Sequence, residues 1–127
     1  LMITPITTPR PPAGYAAGDT PATPPLRAAT AADLPAVERL LVAADLPTAG
    51  VADLFAERTD DFVVADDPTA PGELAAVAGL EVCCDNALLR SVAVRPDWRA
   101  HGLGHALVKR VVCRAEERGL RALYLLT

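Results

Sequence analysis

An apolar run over residues 87–94 is halted by Pro96. After a short loop, an amphipathic stretch from Gly104 to Arg118 leads into a second apolar run over 120–126. Leu107, Val108, Val111, Val112 and Ala115 recur at helical offsets, which predicts a helix with one face laid on a sheet. Gly119, directly after Arg118, suits a left-handed residue closing that helix. Two strands flanking such a helix need a crossover connection, so the strands around Ser91 and Tyr124 are expected to pair in parallel.

The rest of the chain supplies one domain around that unit, and 127 residues suffice for one and not two. Residues 26–29 read as a short strand. Thr30-Ala-Ala-Asp33 resembles a capping box with Asp in place of Glu. Leu34, Val37, Leu40, Leu41 and Ala44 follow at helical spacing, and Pro35 fits only a first turn, which leaves Asp33 as an alternative N-cap. Pro47 and Gly50 break this helix and a second covers 51–58. A compact apolar run at 62–65 reads as a strand, and 74–82 with 87–94 form a hairpin turned at Asp85-Asn86. The order predicts an α/β fold on a mixed sheet, not a doubly wound one. Residues 1–25 differ: they hold seven of the twelve prolines and bury too little apolar area to offset their ordering. They are expected to be a disordered tail or linker, with the folded domain over 26–127.

Aromatic residues make up only 4% of the chain against 51% hydrophobic overall, so the core must be assembled from Ala, Val and Leu. A net charge of −4 argues against nucleic acid as the main partner, because phosphate binding needs a basic face. Arg95, Arg99, His101, Lys109 and Arg110 nevertheless cluster locally. No apolar run is long enough to span a bilayer and no secretory signal is expected, so no membrane partner is either. Cys83, Cys84 and Cys113 lack C-x-x-C spacing and His101 and His105 have no matching thiolate pair, so no metal site is expected. An odd number of free thiols fits a reducing, cytoplasmic setting. As strand neighbours, Cys83 and Cys84 are expected on opposite faces, and Cys113 in the core.

The chemistry concentrates in the loop. Gly102 and Gly104 lie where a strand has ended and a helix begins. Glycine permits positive φ and close backbone approach, and the first N–H groups of a helix have no intrahelical partner. Those donors, the helix dipole, Arg99 and His101 predict a phosphate or pyrophosphate cradle. A Rossmann loop would need a third glycine where Leu107 stands, and a P-loop needs Gly-Lys-Ser/Thr, which is absent. A tight turn without a ligand is the alternative for a bare G-x-G.

Arg99-x-x-Gly102-x-Gly104, following Val94-x-Pro96 on a strand, resembles the acetyl-CoA motif of the GNAT superfamily of N-acetyltransferases, and the element order over 26–127 resembles that fold. The resemblance implies a mixed sheet with helices on both faces. It implies that backbone amides of Arg99, Ala100, His101, Gly102, Leu103 and Gly104 hold the CoA pyrophosphate. The strand edge at Val92 and Val94 would bind the pantetheine arm, with the Val92 amide facing the thioester oxygen as an oxyanion donor. Acetyl-CoA is then the co-substrate, with no metal, and the acetyl group passes directly to a small-molecule amine. That amine must lose a proton while the thiolate leaves as a thiol. Glu81 is the candidate base or water-positioning residue, the alternative being an ordinary exposed strand Glu; Glu116 and Glu117 are taken as solvated. The family's tyrosine general acid follows the last strand, beyond Thr127; Tyr124 lies inside the strand and is not assigned the role. The family's last helix and closing strand pair are likewise expected to be missing, which would leave a sheet edge to pair in a homodimer.

Leu46-Pro-Thr-Ala-Gly50, Gly79-Leu-Glu81, the run 88–94 and Leu123-Tyr-Leu-Leu-Thr127 also resemble a bacterial GNAT group associated with arsenic resistance, whose members acetylate toxic amino-acid analogues. Arg90 would then face an acidic substrate from the cofactor strand, the alternative being a surface arginine. Two other functions compete with the enzyme: a non-catalytic CoA-binding or interaction module, and an inactive gene fragment.

Overall fold

The structure is a computed structural model that describes residues 2–3 and 23–125. Six strands form one sheet in the order β1-β6-β5-β4-β3-β2: β1 Met2–Ile3, β2 Leu26–Ala28, β3 Phe62–Asp66, β4 Leu74–Cys83, β5 Asn86–Val94 and β6 Ala122–Leu125. The helices are α1 Leu34–Ala43, α2 Val51–Glu57 and α3 Leu103–Glu117. Among the described residues only β5 and β6 run parallel, as α3 between them requires; β1–β6, β2–β3, β3–β4 and β4–β5 are antiparallel. Within the segment 1–25, Met2 and Ile3 pair with Leu125 and Tyr124. The expectation of a disordered tail otherwise falls on residues 4–22, outside those described.

Two apolar clusters sandwich the sheet. On one face Leu103, Leu107, Val111 and Ala115 of α3 pack on Val63, Ala65, Ala78, Leu80, Ala87 and Leu89. On the other, Val37, Leu40 and Leu41 of α1 with Val51 and Phe55 of α2 cover Phe62, Val64, Val77 and Ala93. The alternation Phe62/Val64 against Val63/Ala65 is the two-residue strand period sending side chains to opposite faces. Gly79 admits Phe62 here: a Cβ at 79 would lie 2.4 Å from that ring.

Local signals hold where backbone chemistry dictates them. The Thr30 N–H donates to Asp33 Oδ2 at 2.8 Å, and Pro35 stands in the first turn of α1. Gly119, at φ +68, closes α3: its N–H reaches Glu116 O and that of Leu120 reaches Ala115 O, a Schellman pair.

Three expectations are corrected. The β4–β5 turn is Cys84-Asp85, not Asp85-Asn86, because Asn86 already pairs with Cys83. Cys84 therefore leaves the strand at φ +58 and does not face away from Cys83. Cys113 is exposed, because the buried face of α3 passes through Val111 and Ala115. The strands around Ser91 and Tyr124 do pair in parallel as expected, through a ladder that joins Leu88 to Tyr124 and ends, among the described residues, at Leu89–Leu125, just short of Ser91.

Candidate functional site

Ser91 breaks the register of β5. Val77 pairs with Ala93 and Gly79 with Arg90, so two residues of β5, Ser91 and Val92, oppose Ala78 alone. Ser91 takes up the extra length at φ +57. This β-bulge switches the parity of the strand: Ala87 and Leu89 face α3, but beyond the bulge it is Val92 and Val94 that pack on that side while Ala93 joins the α1–α2 cluster. Beyond Leu89, among the described residues, β5 has no partner on the side where β6 lay. Among the described residues, the strand edge carrying Val92 and Val94 is open.

The chain past Val94 is tied down from below. Arg95 donates from N–H to Ala75 O at 2.8 Å and from Nε to Leu74 O at 2.6 Å, and its Nη2 reaches Glu73 Oε2 at 3.1 Å. Asp67 is buried nearby, its Oδ2 4.0 Å from Arg95 Nε. Burial pushes the Asp67 carboxyl up, but Thr69 donates both its hydroxyl, at 2.7 Å, and its N–H, at 2.9 Å, and the net shift is downward. Asp67 thus keeps its charge under the loop. Trp98 is buried and its ring lies 5.5 Å from that of His101.

Above this base the backbone turns sharply. Ala100 has φ +66 and Gly102, the N-cap of α3, φ +76. The first hydrogen bond of the helix runs from Ala106 N–H to Gly102 O. Among the described residues, the N–H groups of Ala100, His101, Gly102, Leu103, Gly104 and His105 find no acceptor, and no side chain caps the helix. Six successive unpaired donors around a helix N-terminus are an arrangement that can receive an anion. A Cβ added at Gly104 would meet nothing closer than Val94 Cγ2, at an ordinary 3.7 Å, and Gly104 has no positive φ. Neither packing nor conformation asks for glycine there.

Arg99 turns its Nε onto Val94 O at 3.1 Å and stays exposed, so it braces the loop against the strand end. His101 is half-buried, and its Nδ1 has no partner among the described residues. The structure thus brings Val92, Val94 and the 99–104 loop into one region. Glu81 lies elsewhere: it pairs with Leu88, six residues before Val94, which puts it roughly 20 Å from the loop at the ordinary rise of a strand. It shares the α1–α2 face with Arg90, whose Nη1 donates to Glu81 Oε1 at 2.7 Å and whose Nη2 donates to Ala49 O at 2.7 Å. Arg90 is thereby engaged inside the protein, which removes the expectation that it stands free for an acidic substrate. The sequence names Ala100 but announces neither its positive φ nor the bulge at Ser91, because neither residue is the glycine that a positive φ usually signals.

The family model of the Acetyltransferase (GNAT) family matches residues 31–127. The chain belongs to the GNAT family. Among curated GNAT relatives, the amino-acid acetyltransferase of Mycobacterium tuberculosis is 32% identical over 108 residues, 82% of this chain and 62% of its own length. The ribosomal protein bS18-alanine N-acetyltransferase of Escherichia coli K12 is 40% identical over 57 residues, 45% of this chain and 38% of its own. The chain thus spans less than two thirds of the curated relatives it matches. Among solved structures, a Mycobacterium tuberculosis protein in complex with CoA and NLQ superposes with a TM-score of 0.69 at 31% identity, covering 82% of this chain and 64% of that one. N-acetylglutamate synthase from Neisseria gonorrhoeae superposes at 0.67 with 20% identity, over 85% of this chain and 26% of its own, and shares the fold.

Proposed function

We propose that this chain carries the acetyl-CoA site of an N-acetyltransferase that moves an acetyl group directly to the primary amine of a small amino-acid-like molecule. The carrying observation is the row of unpaired amides from Ala100 to His105, held outward by positive φ at Ala100 and Gly102. A diphosphate satisfies such donors with charge-assisted hydrogen bonds. The open edge at Val92 and Val94 then takes the amide groups of a pantetheine arm as a further strand would. The Val92 N–H serves the thioester oxygen as negative charge develops on it. Glu81, oriented by Arg90, accepts the amine proton directly or through a water.

The amino-acid acceptor is supported by the 32% identity to an amino-acid acetyltransferase. A toxic amino-acid analogue is the narrower version of that reading. Because Arg90 is already paired with Glu81, the acceptor's own carboxylate needs another cation.

The test uses Gly104→Leu. A Cβ here meets only Val94 Cγ2, at the ordinary contact distance of 3.7 Å, so the fold accepts a side chain, and leucine favours the helix over glycine. In calorimetric titration the wild-type chain is expected to bind acetyl-CoA, and the variant at least about tenfold more weakly, a loss of about 1.4 kcal/mol, with unchanged circular dichroism. Equal affinity in a folded variant removes the loop assignment.

A further inference from the structure

The β4–β5 turn is far from the cofactor loop, at the other end of β5, and it carries chemistry that acyl transfer does not use. Cys83 ends β4 and Cys84 takes the first central position of a two-residue turn at φ +58. Glycine usually holds that position, because a Cβ at positive φ crowds the backbone. The left-handed backbone sets the two sulfurs 4.0 Å apart, with one thiol hydrogen-bonding the other. Both cysteines are exposed. Cys83 also follows Glu81 by two residues, on the same face of the strand.

We propose that Cys83 and Cys84 form a two-thiol capture site for a soft trivalent electrophile of the organoarsenical class. The separation selects the chemistry. A disulfide would draw the sulfurs to about 2.05 Å across adjacent residues, with the strain of a small ring. A pyramidal trivalent centre bonded to both sulfurs at about 2.3 Å and about 95–100° holds them roughly 3.5 Å apart, within a small side-chain rotation of the 4.0 Å already present. A linear two-coordinate ion would want them on opposite sides of it. A zinc-like ion needs four ligands, and among the described residues no three His, Cys, Asp or Glu side chains gather to hold a metal. A trivalent arsenical with one organic group needs two sulfurs and nothing more. In the reaction with phenylarsine oxide two arsenic–sulfur bonds form, the arsenic–oxygen bond breaks, and the oxygen leaves as water with both thiol protons. Arsenic stays trivalent, so no oxidant or reductant enters. The hydrogen bond to Cys84 and its charge hold the Cys83 thiol above its ordinary pKa. The Cys83 thiol is therefore slow towards simple alkylating agents at neutral pH.

The site stands independently of the acyltransferase reading. The reduced full chain is treated with one equivalent of phenylarsine oxide and followed by intact mass. One adduct per chain is expected. Stripping it should take on the order of a hundredfold more 2-mercaptoethanol than stripping a single-thiol adduct, because the second sulfur re-closes intramolecularly; dithiothreitol should remove it readily. Cys83→Ser and Cys84→Ser are each expected to abolish the resistance to 2-mercaptoethanol, and Cys113→Ser to leave it intact; all three positions are exposed. A wild-type adduct stripped as easily as that of either serine variant overturns the proposal. So does an adduct that bridges two chains, or one whose resistance depends on Cys113.

Discussion

Glu81 and Arg90 meet across β4 and β5 on the face that α1 and α2 cover, and Arg90 spends its other nitrogens on Ala49 O and Ser91 Oγ. The guanidinium fixes one carboxylate oxygen of Glu81; the other has no hydrogen-bond partner among the described residues. Its side chain is 44% exposed, so that oxygen can reach a water or an amine. A carboxylate anchored on one side and open on the other suits proton acceptance during transfer. Glu81→Gln keeps the shape and a hydrogen bond to Arg90 but cannot take up a proton. It is expected to lower kcat by about a hundredfold while leaving the Kd for acetyl-CoA within a factor of two or so, since the loop is remote. Steady-state kinetics with a separate titration of the cofactor checks this; a kcat that scarcely changes removes Glu81 from the reaction.

At the scale of elements, one arginine joins three pieces of chain. Arg27 on β2 donates to both oxygens of Asp33, ahead of α1, and to both oxygens of Asp66, at the end of β3. Those hydrogen bonds hold the Asp33 and Asp66 carboxyls below their ordinary range. Carboxyls depressed on folding stabilise the protein above their unfolded pKa, and that contribution disappears as pH falls through the lower folded values. Arg27→Ala is therefore expected to lower the urea midpoint at neutral pH by the equivalent of about 1 kcal/mol or less, since the network is partly exposed. The deficit should close once the pH drops well below about 4. Midpoints measured across that range test it, and a deficit independent of pH contradicts it. Such ties, unlike the elements they join, leave little trace in a sequence. The helices and strands were legible because Pro96, Gly119 and the capping pair Thr30–Asp33 act through local backbone chemistry, and the apolar stripe of α3 reports its own burial. The bulge at Ser91, the left-handed Ala100 and the turn at Cys84 were not legible. There the pairing of neighbouring strands, or the docking of α3, forces residues without glycine's freedom into positive φ, and no local propensity announces it.

For the molecule as a whole, the two irregular points bracket the segment that matters. The bulge at Ser91 opens the sheet beside Val92 and Val94, and the turn at Ala100–Gly102 directs the amides of α3 outward. A ligand with a diphosphate at one end and an amide-bearing arm at the other can engage both at once; a simple phosphate engages only the second. Hydrogen exchange separates the two cases. Acetyl-CoA is expected to slow exchange at the 100–105 amides and along 92–94 together, while inorganic phosphate slows only the former. The hairpin tip at Cys84-Asp85 should respond to neither. Because the ligand binds the folded chain alone, a concentration a hundred times its Kd should also add about 2.7 kcal/mol of stability, and Gly104→Leu should forfeit about half of it or more at that concentration. Protection by acetyl-CoA confined to 100–105 would mean that the loop grips a phosphate while the opened strand edge serves something else. The bulge at Ser91 would then need a different explanation from the cofactor.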